Sequence, residues 1–292
     1  MMEQLAKCPI CGSSQLDPFF KVADHFGSKE LFNIELCNDC EGLVTNPRPD
    51  EKEIVTYYKS NSYVSHGQSK GILFDYVYKR LQQINLKNKY LLIKKEHSGK
   101  RLLDYGCGAG SFLEYMYQRN YKVNGVEPDA SARGLIDPQI PTATSIDDLP
   151  TQQYDVITAF HVIEHVHELH HTLGALKQRL DPNGILVLAL PNPLSYDAQY
   201  YGTDWAGYDV PRHLYHFNQK SLDSLAYQFN LGVSKVLPMR LDSYYVSLLS
   251  EQYKKSKFAP VKALWHGYRS NQLAKTSGEY SSLLYVLKKL ED

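Results

Sequence analysis

Leu102-Leu103-Asp104-Tyr105-Gly106-Cys107-Gly108-Ala109-Gly110 joins a short apolar run to a loop that contains three glycines. The residues that follow, 111–116, predict the start of a helix. Glycine has no Cβ, so such a loop can turn sharply and let its backbone approach a ligand. A strand, a glycine-rich loop and a helix in this order predict a cofactor-binding α/β domain.

Short apolar runs alternate with helical stretches from about residue 98 onward. The runs cover residues 101–105, 122–126, 154–159 and 184–190. This alternation predicts an α/β fold with a Rossmann-like doubly wound sheet, mostly parallel, and residues 281–287 are expected to form an antiparallel last strand. Ligands of such sheets bind beyond the carboxyl ends of the strands, so the residues after each run are the candidate site residues.

Three regions follow one another along the chain. We expect a small N-terminal zinc-binding module at residues 1–49, a helical connector at 50–97, and the Rossmann-like domain at 98–292. An insert at about 239–280 is longer than a usual connection, which favours a lid or a binding segment. The connector is predicted to cover the next domain with apolar residues at helical intervals. These residues are Phe74, Val77, Tyr78, Leu81 and Ile84.

Composition limits the classes of partner. The 292 residues are 43% apolar and 22% charged, enough for one large core and a small accessory module. Thirty-two basic residues balance 32 acidic ones, so we expect neither nucleic acid nor a membrane as a partner. No apolar run reaches the roughly 20 residues of a membrane span, and the start lacks the pattern of a signal peptide. We therefore expect a cytoplasmic protein.

Two Cys-x-x-Cys pairs, Cys8-Pro9-Ile10-Cys11 and Cys37-Asn38-Asp39-Cys40, lie in the first region. Four thiolates suit a closed tetrahedral Zn²⁺ site, and a site with all positions filled by sulfur is structural rather than catalytic. The four cysteines of these pairs are therefore the predicted metal ligands. An iron–sulfur cluster and a redox role remain alternatives.

A carboxylate follows the second predicted strand, at Glu127-Pro128. An ionised carboxylate accepts hydrogen bonds from both hydroxyls of an unphosphorylated ribose, so Glu127 is the predicted ribose ligand. The third glycine of the loop comes one residue earlier than in the dinucleotide fingerprint Gly-x-Gly-x-x-Gly. That spacing disfavours a nicotinamide-dependent oxidoreductase, which stays an alternative.

Together, the loop and Glu127 resemble the class I S-adenosylmethionine-dependent methyltransferases, over about residues 98–237. The resemblance implies that the loop holds the methionine end of the cofactor, and that Glu127 and Pro128 lie at the ribose. It also implies adenine contacts after the third strand, where Ser145 replaces the usual acid, and cofactor contacts after the fourth. The implied cofactor-binding residues are Asp104, Tyr105, Gly106, Cys107, Gly108, Gly110, Glu127, Pro128, Ser145, Ile146, Asp147, Phe160 and His161.

The order of a cysteine-rich module, Asn46-Pro47-Arg48-Pro49 and a methyltransferase domain is similar to a bacterial subgroup of sugar and secondary-metabolite methyltransferases. This similarity implies O- or C-methylation of a small-molecule acceptor, with a sugar as one candidate.

Residues 205–217 are similar to a Pro-Arg-His-x-x-x-Phe signature of that subgroup. We expect Trp205 and Tyr208 to form a platform for the acceptor and Arg212 to clamp it. His213 or His216 is the candidate general base, because histidine titrates near neutral pH. The alternative is a structural corner that fixes the next helix.

Two further hypotheses stay open. The motif His161-x-x-Glu164-His165 matches an inverted zinc-protease pattern, but that pattern needs both histidines on one helix, whereas here a predicted strand leads into it. The chain is alternatively a cofactor-sensing binding protein that engages a partner through its zinc module.

Overall fold

The computed structural model describes residues 1–58 and 72–290, with side chains described for all of these except residues 72–79. Its strands are β1 Met2–Glu3, β2 Leu16–Ala23, β3 Leu31–Cys37, β4 Leu43–Thr45, β5 Arg48–Pro49, β6 Arg101–Tyr105, β7 Lys122–Val126, β8 Thr142–Ala143, β9 Tyr154–Phe160, β10 Leu180–Pro191, β11 Tyr215–His216, β12 Leu231–Pro238 and β13 Ser282–Lys289. Its α-helices are α1 Ile54–Tyr58, α2 Ile72–Glu96, α3 Ser111–Tyr117, α4 Ala130–Arg133, α5 Leu169–Arg179, α6 Tyr196–Tyr201, α7 Gln219–Tyr227, α8 Asp242–Tyr253 and α9 Ala259–Ser277.

The main sheet has seven strands in the order β12-β13-β10-β9-β6-β7-β8. Strands β6 to β10 pair in parallel, and β13 runs antiparallel to both of its neighbours, so the predicted fold class is confirmed. The central strands are buried on both faces, which accounts for their unbroken apolar runs. The chain runs outward from β6 to β7 and β8 and then returns to β9 on the other side of β6. The site is expected at this switch point.

Helix α2 lies within the segment predicted to be helical, and its buried residues include Leu86 and Ile93. Two residues of the predicted apolar stripe face solvent instead: Leu81 is 44% exposed and Ile84 is 48% exposed. The helix therefore packs through a different face from the one expected. The other members of the predicted stripe have side chains outside the described residues: Phe74, Val77 and Tyr78.

The first region forms a four-stranded antiparallel sheet in the order β11-β4-β3-β2. Its edge strand β11 comes from residues 215–216, far along the chain, where Tyr215 pairs with Val44 and His216 with Leu43. A segment that follows strand β10 of the main sheet therefore completes the sheet of the cysteine-bearing region.

The cysteine-bearing region also shares a core with the main sheet. Cys8 and Ile10 are buried in the same apolar cluster as Leu173 of α5 and Leu225 of α7. A Cβ on Gly42 would lie only 2.6 Å from Cδ1 of Ile10 and 2.9 Å from Cβ of Ser221, so the two regions approach closely there. These contacts indicate one continuous interior.

A buried ion network crosses the same junction. The Nη2 of Arg212 donates to Oδ1 of Asp24 at 3.0 Å and to Oδ1 of Asp209 at 2.6 Å, while its Nη1 donates to the carbonyl oxygen of Tyr57 at 3.1 Å. The Arg212 side chain is 1% exposed and Asp24 is fully buried. Because unpaired charges are costly in an interior, these groups hold one another in place.

The predicted insert forms α8 and α9, which pack against each other. Among the residues that the structure describes, none of the helices combines the length and apolar character that a membrane crossing requires.

We expect Arg212→Ala to lower the free energy of unfolding by about 3–5 kcal/mol, because it leaves the fully buried Asp24 and the partly buried Asp209 without their cationic partner. Urea denaturation followed by circular dichroism measures this loss. Lys220→Ala is the matched control: it breaks an exposed ion pair with Glu41 across the same junction and is expected to cost at most about 1 kcal/mol. Equal losses in the two variants would contradict a central role for the buried network.

Candidate active site and metal centre

Three left-handed glycines shape the loop after β6. Gly106, Gly108 and Gly110 have φ angles of +72°, +54° and +78°, which residues with a Cβ rarely adopt. A Cβ on Gly106 would lie 2.4 Å from Val162, and one on Gly110 would lie 2.7 Å from Ile136. For Gly108, no described residue other than its chain neighbours has an atom within 4 Å of the equivalent position. The loop therefore packs through its outer glycines and leaves its middle glycine open to a ligand.

Glu127 lies beside the loop at the end of β7. Its Oε2 accepts a hydrogen bond from the Gly108 amide at 2.9 Å, and its Oε1 accepts one from the Asp129 amide at 2.9 Å. The carboxylate is thus fixed next to the open glycine and only partly buried, while Pro128 is exposed beside it. This geometry fits the predicted ribose ligand.

Asp104 lies beneath the loop and is buried. Burial raises its pKa to about 6, although a hydrogen bond from Thr158 at 2.6 Å and the charge of Lys89 act in the opposite direction. Lys89 comes from α2, and its Nζ lies 3.8 Å from the ring centroid of Phe160. The sequence does not identify Lys89 as a site residue, because it is one of several lysines in a helix and no local pattern distinguishes it.

Tyr105 and Cys107 offer the cofactor site little side-chain surface. Tyr105 is half-buried at the end of β6, and Cys107 packs so closely on β7 that a Cβ on Gly125 would lie 2.7 Å from its Sγ. Cofactor contact by these two residues stays a prediction.

Ser145 caps a short 3₁₀ turn after β8. Its Oγ accepts from the Asp147 amide at 3.3 Å, while its own amide donates to Asp148 at 3.0 Å. The next residue, Ile146, is buried in the core, whereas the side chain of Asp147 is exposed. Adenine contact by Asp147 and Ser145 stays a prediction, and the burial of Ile146 does not support a side-chain contact there.

Phe160 is the last residue of β9, and His161 follows it. The ring of Phe160 lies edge-on to that of Phe112. His161 has a left-handed backbone with φ of +56°. Its Nε2 lies 3.3 Å from Oδ2 of Asp242, and its Nδ1 lies 3.5 Å from Oε1 of Glu164. Burial opposes protonation, but these two carboxylates outweigh it and raise the pKa of His161 to about 9.

Glu164 is 1% exposed, and neither of its carboxylate oxygens has a hydrogen-bond partner among the described residues. The 3.5 Å separation from His161 is at the long limit for a hydrogen bond, so we treat this contact as an ion pair. Burial favours the protonated form, but His161, His165 and His213 together hold the pKa of Glu164 below its usual value. A buried carboxylate therefore faces three imidazoles.

His165 and His213 come from distant segments and lie together at this carboxylate. Their ring centroids are 4.6 Å apart, and one nitrogen or oxygen of each of Glu164, His165 and His213 lies within 4.8 Å of the others. Nδ1 of His213 lies 2.9 Å from the carbonyl oxygen of Gly207, and Nδ1 of His165 lies 3.0 Å from that of Arg212. A carbonyl oxygen can only accept, so the Nδ1 of each histidine donates its hydrogen to that carbonyl.

The inverted zinc-protease hypothesis fails on geometry. Ile163–His165 is a 3₁₀ turn, and β9 leads directly into it, so the motif does not present two histidines on one helix. The same motif instead supplies Glu164 and His165, which lie together with His213.

The other predicted acceptor residues lie in the interior. Trp205 is 1% exposed and donates from Nε1 to Asp197 at 2.9 Å, and Tyr208 packs edge-on against it. Arg212 is occupied by its buried carboxylates, and Nε2 of His216 lies 3.3 Å from Oγ1 of Thr45. These placements do not support substrate contact by Trp205, Tyr208 and Arg212 or proton transfer by His216. They favour the structural corner as the role of Trp205, Tyr208, Arg212 and His216. Of the predicted acceptor-side residues, only His213 lies beside Glu164 and His165.

The four cysteine sulfurs fit a tetrahedral metal. The Sγ atoms of Cys8 and Cys40 are 3.8 Å apart, those of Cys11 and Cys37 are 3.5 Å apart, and all four lie within 4.8 Å of one another. A tetrahedron with Zn–S bonds of about 2.3 Å has edges of about 3.8 Å. The donor set and its spacing therefore suit Zn²⁺ held by four thiolates.

The antiparallel strand β13 between β10 and β12, the glycine loop and the carboxylate after β7 are the features expected of class I S-adenosylmethionine-dependent methyltransferases. Residues 76–236 match the family model described as "Methyltransferase domain". This match covers more than half of the chain, which therefore belongs to that family.

Curated relatives include the ubiquinone biosynthesis O-methyltransferase of Rhodopseudomonas palustris, 35% identical over 106 residues that cover 32% of this chain and 41% of the relative. The enzyme of the same name from Saccharophagus degradans is 27% identical over 156 residues, covering 49% of this chain and 66% of the relative. The chain thus spans about two fifths of the length of the R. palustris relative.

Two solved structures share the fold. Magnesium protoporphyrin IX methyltransferase from Synechocystis PCC 6803, with bound SAH, has a TM-score of 0.53 and 12% identity, covering 82% of this chain and 100% of that chain. Phosphoethanolamine N-methyltransferase 2 from Haemonchus contortus, in complex with S-adenosyl-L-methionine, has a TM-score of 0.51 and 15% identity, covering 85% and 63%.

We expect the affinity for S-adenosylmethionine to rise as the pH is raised through about 6, because Asp104 becomes ionised there and then attracts the cationic methionine end. Calorimetric titrations between pH 5 and 7.5 measure this dependence. Asp104→Asn should bind roughly tenfold more weakly at pH 7.5 and lose the pH dependence. Asp181→Asn, which changes a carboxylate that pairs with Arg101 at the start of β6, is the control. A pH dependence that persists in Asp104→Asn would contradict this assignment.

Metal analysis of the purified protein should find about one zinc per chain, and Cys11→Ser should lose most of it and lower the melting temperature. Cys107→Ser is the matched control, because Cys107 lies in the glycine loop and should leave the zinc content unchanged. An iron–sulfur absorption band in the wild-type protein would overturn the zinc assignment.

Proposed function

We propose that this protein transfers a methyl group from S-adenosylmethionine to an oxygen or carbon of a small-molecule acceptor. The observation that carries the proposal is the buried carboxylate of Glu164 beside His165 and His213. Glu164 and His165 follow directly after strand β9, the end of which adjoins the glycine loop. The open face of Gly108 beside Glu127 supplies the cofactor position.

When bound, the cofactor supplies a methyl group that is already activated by a sulfonium. The chain's own residues must therefore bind, orient and exclude water. Glu127 is placed for ribose hydroxyls, and Asp104 offers a negative charge beneath the loop. The ring of Phe160 packs edge-on against Phe112 at the end of β9.

His213 is the proposed general base. The hydrogen bond from its Nδ1 to the Gly207 carbonyl leaves Nε2 as the nitrogen that accepts a proton. Burial, together with the neighbouring His165, lowers the pKa of His213 to about 4, so the imidazole is in its basic form at neutral pH. Glu164 then stabilises the imidazolium that forms when the acceptor loses its proton.

The acceptor is proposed to be a small hydroxylated molecule, with nucleotide-linked sugars and phenols as the first classes to test. The curated relatives are O-methyltransferases by name, which favours transfer to oxygen. The similarity to sugar methyltransferases supports the sugar class. The four thiols of the proposed zinc centre stay reduced in the cytoplasm, where we place the protein.

Two measurements test the function. Calorimetry should show micromolar to submillimolar binding of S-adenosylmethionine and S-adenosylhomocysteine and no binding of NAD; the reverse pattern would favour an oxidoreductase and overturn the proposal. A screen with cofactor labelled in its methyl group, against nucleotide-linked sugars and small phenols, then identifies the acceptor class.

We expect His213→Ala to keep the cofactor affinity within about twofold and to lower kcat at least about 100-fold, because the acceptor loses its proton acceptor. Glu164→Gln should also lower kcat, since it removes the charge that stabilises the imidazolium. Single-turnover assays and calorimetry separate the two effects.

His97→Ala is the control for both variants. His97 follows α2 beside Gly99, where the chain approaches the start of β6, and its removal should leave kcat unchanged. An undiminished kcat in His213→Ala would overturn the assignment of His213 as the general base.

A further inference from the structure

Helix α9 exposes its large apolar side chains. Each of five such residues in and just before the helix is at least 50% exposed to solvent. Their spacing of three or four residues places them on one side of the helix. These residues, called the α9 stripe below, are Phe258, Val261, Leu264, Trp265 and Tyr268.

The buried face of α9 carries small and polar residues instead. Its buried residues are Ala263, His266, Gly267, Ser270, Asn271 and Ala274. A Cβ on Gly267 would lie 2.7 Å from the ring of Tyr244 in α8. The helix is therefore anchored through this face, and this packing leaves the large apolar residues outside. Contiguous exposed apolar surface of this kind marks an interaction site.

The stripe lies in a basic part of the chain. Between Glu251 and Glu279 the sequence contains six lysines and arginines and no aspartate or glutamate. All six are exposed, and no ion pair between them and a carboxylate occurs in the part of the chain that the structure describes. The six are Lys254, Lys255, Lys257, Lys262, Arg269 and Lys275. The balanced overall charge thus conceals a local positive surface.

We propose that the α9 stripe and its basic residues dock the protein on the surface of an anionic phospholipid bilayer. A helix with Trp, Phe and Leu on one side and lysines beside them can insert its apolar side at the headgroup level while its lysines pair with lipid phosphates. Docking of this kind needs no membrane-spanning helix.

Charge argues against a second copy of the chain as the occupant. A two-fold interface places the same patch of both subunits face to face, so the six positive groups of each would repel those of the other. An anionic bilayer removes this repulsion and covers the same apolar side chains.

The docking surface belongs to the same insert that contacts the candidate active site. Asp242, the first residue of α8, lies 3.3 Å from His161. Ser270 of α9 donates to the buried Asp197 at 2.7 Å, which also accepts from Trp205. Docking through α9 therefore holds the methyltransferase close to lipid-borne acceptors. This last step depends on the proposed function, whereas docking itself does not.

Vesicle sedimentation tests the proposal on the full chain. We expect the protein to sediment with phosphatidylcholine vesicles that contain one quarter phosphatidylglycerol, at least tenfold more than with pure phosphatidylcholine, and to be released by high salt. The chain has two tryptophans, of which Trp205 is 1% exposed and Trp265 is 58% exposed. A blue shift of the Trp emission on vesicle binding would therefore report insertion of Trp265.

Variants distinguish the contribution of the apolar α9 stripe from that of the basic residues. Leu264→Ser should weaken binding at least tenfold, and the double variant Lys257→Glu with Lys262→Glu should abolish the dependence on anionic lipid. Tyr227→Ser and Lys122→Glu change an equally exposed apolar residue and a lysine elsewhere, and they should bind vesicles normally. Unchanged S-adenosylhomocysteine binding confirms that each variant is folded.

Absence of binding to the anionic vesicles would overturn the proposal, as would equal binding by Leu264→Ser. Analytical ultracentrifugation without lipid tests whether a second copy of the chain occupies the α9 stripe. A dimer that Leu264→Ser converts to monomer would assign the stripe to a second copy instead. The vesicle assay contains no acceptor and no cofactor, so its failure leaves the proposed methyl transfer untouched, and failure of cofactor binding leaves the docking proposal untouched.

Discussion

The structure depends on the buried guanidinium of Arg212. It lies between Asp24 of the cysteine-bearing region and Asp209 of the segment after β10, and a charge in such a place is tolerated only while it is paired. Its position fixes the backbone on either side. The carbonyl of Arg212 lies 3.0 Å from Nδ1 of His165, and the next residue, His213, lies beside Glu164. An ion pair that joins two regions of the fold thus also positions the candidate catalytic histidines.

This arrangement changes the role of the N-terminal region. It is a part of the same interior, because β11 completes its sheet and its buried cysteines share an apolar cluster with α5 and α7. The zinc proposed there would stabilise the surface on which the segment with Arg212 and His213 rests. The proposed acceptor side therefore lies where the two regions meet, whereas the proposed cofactor side lies at the edge of the main sheet, with Lys89 of α2 and Asp242 of α8 beside it.

The sequence predicts the main sheet, the glycine loop, Glu127 and the cysteine pairs because each depends on local spacing or on the order of strands. It does not predict which way a side chain faces after a loop. The chemistry of Trp205 and Arg212 predicts that both lie at the acceptor. In the structure, Asp197 accepts a hydrogen bond from the Trp205 indole inside the protein, and Asp24, 188 residues away in sequence, pairs with Arg212. Lys89 and Asp242 reach the site from distant elements for the same reason. The basic surface of α9 was concealed by the zero net charge of the whole chain.

The central claim is that the cysteine-bearing region and the main sheet form one cooperative unit joined at Arg212. Native-state hydrogen exchange at increasing urea concentration measures the opening free energy of individual amides. The account predicts that amides of β3 and β9 converge on the same opening free energy, and that Arg212→Ala lowers both equally. Amides of β3 that open at a much lower free energy than those of β9 in the wild-type protein, with cofactor binding retained, would contradict it.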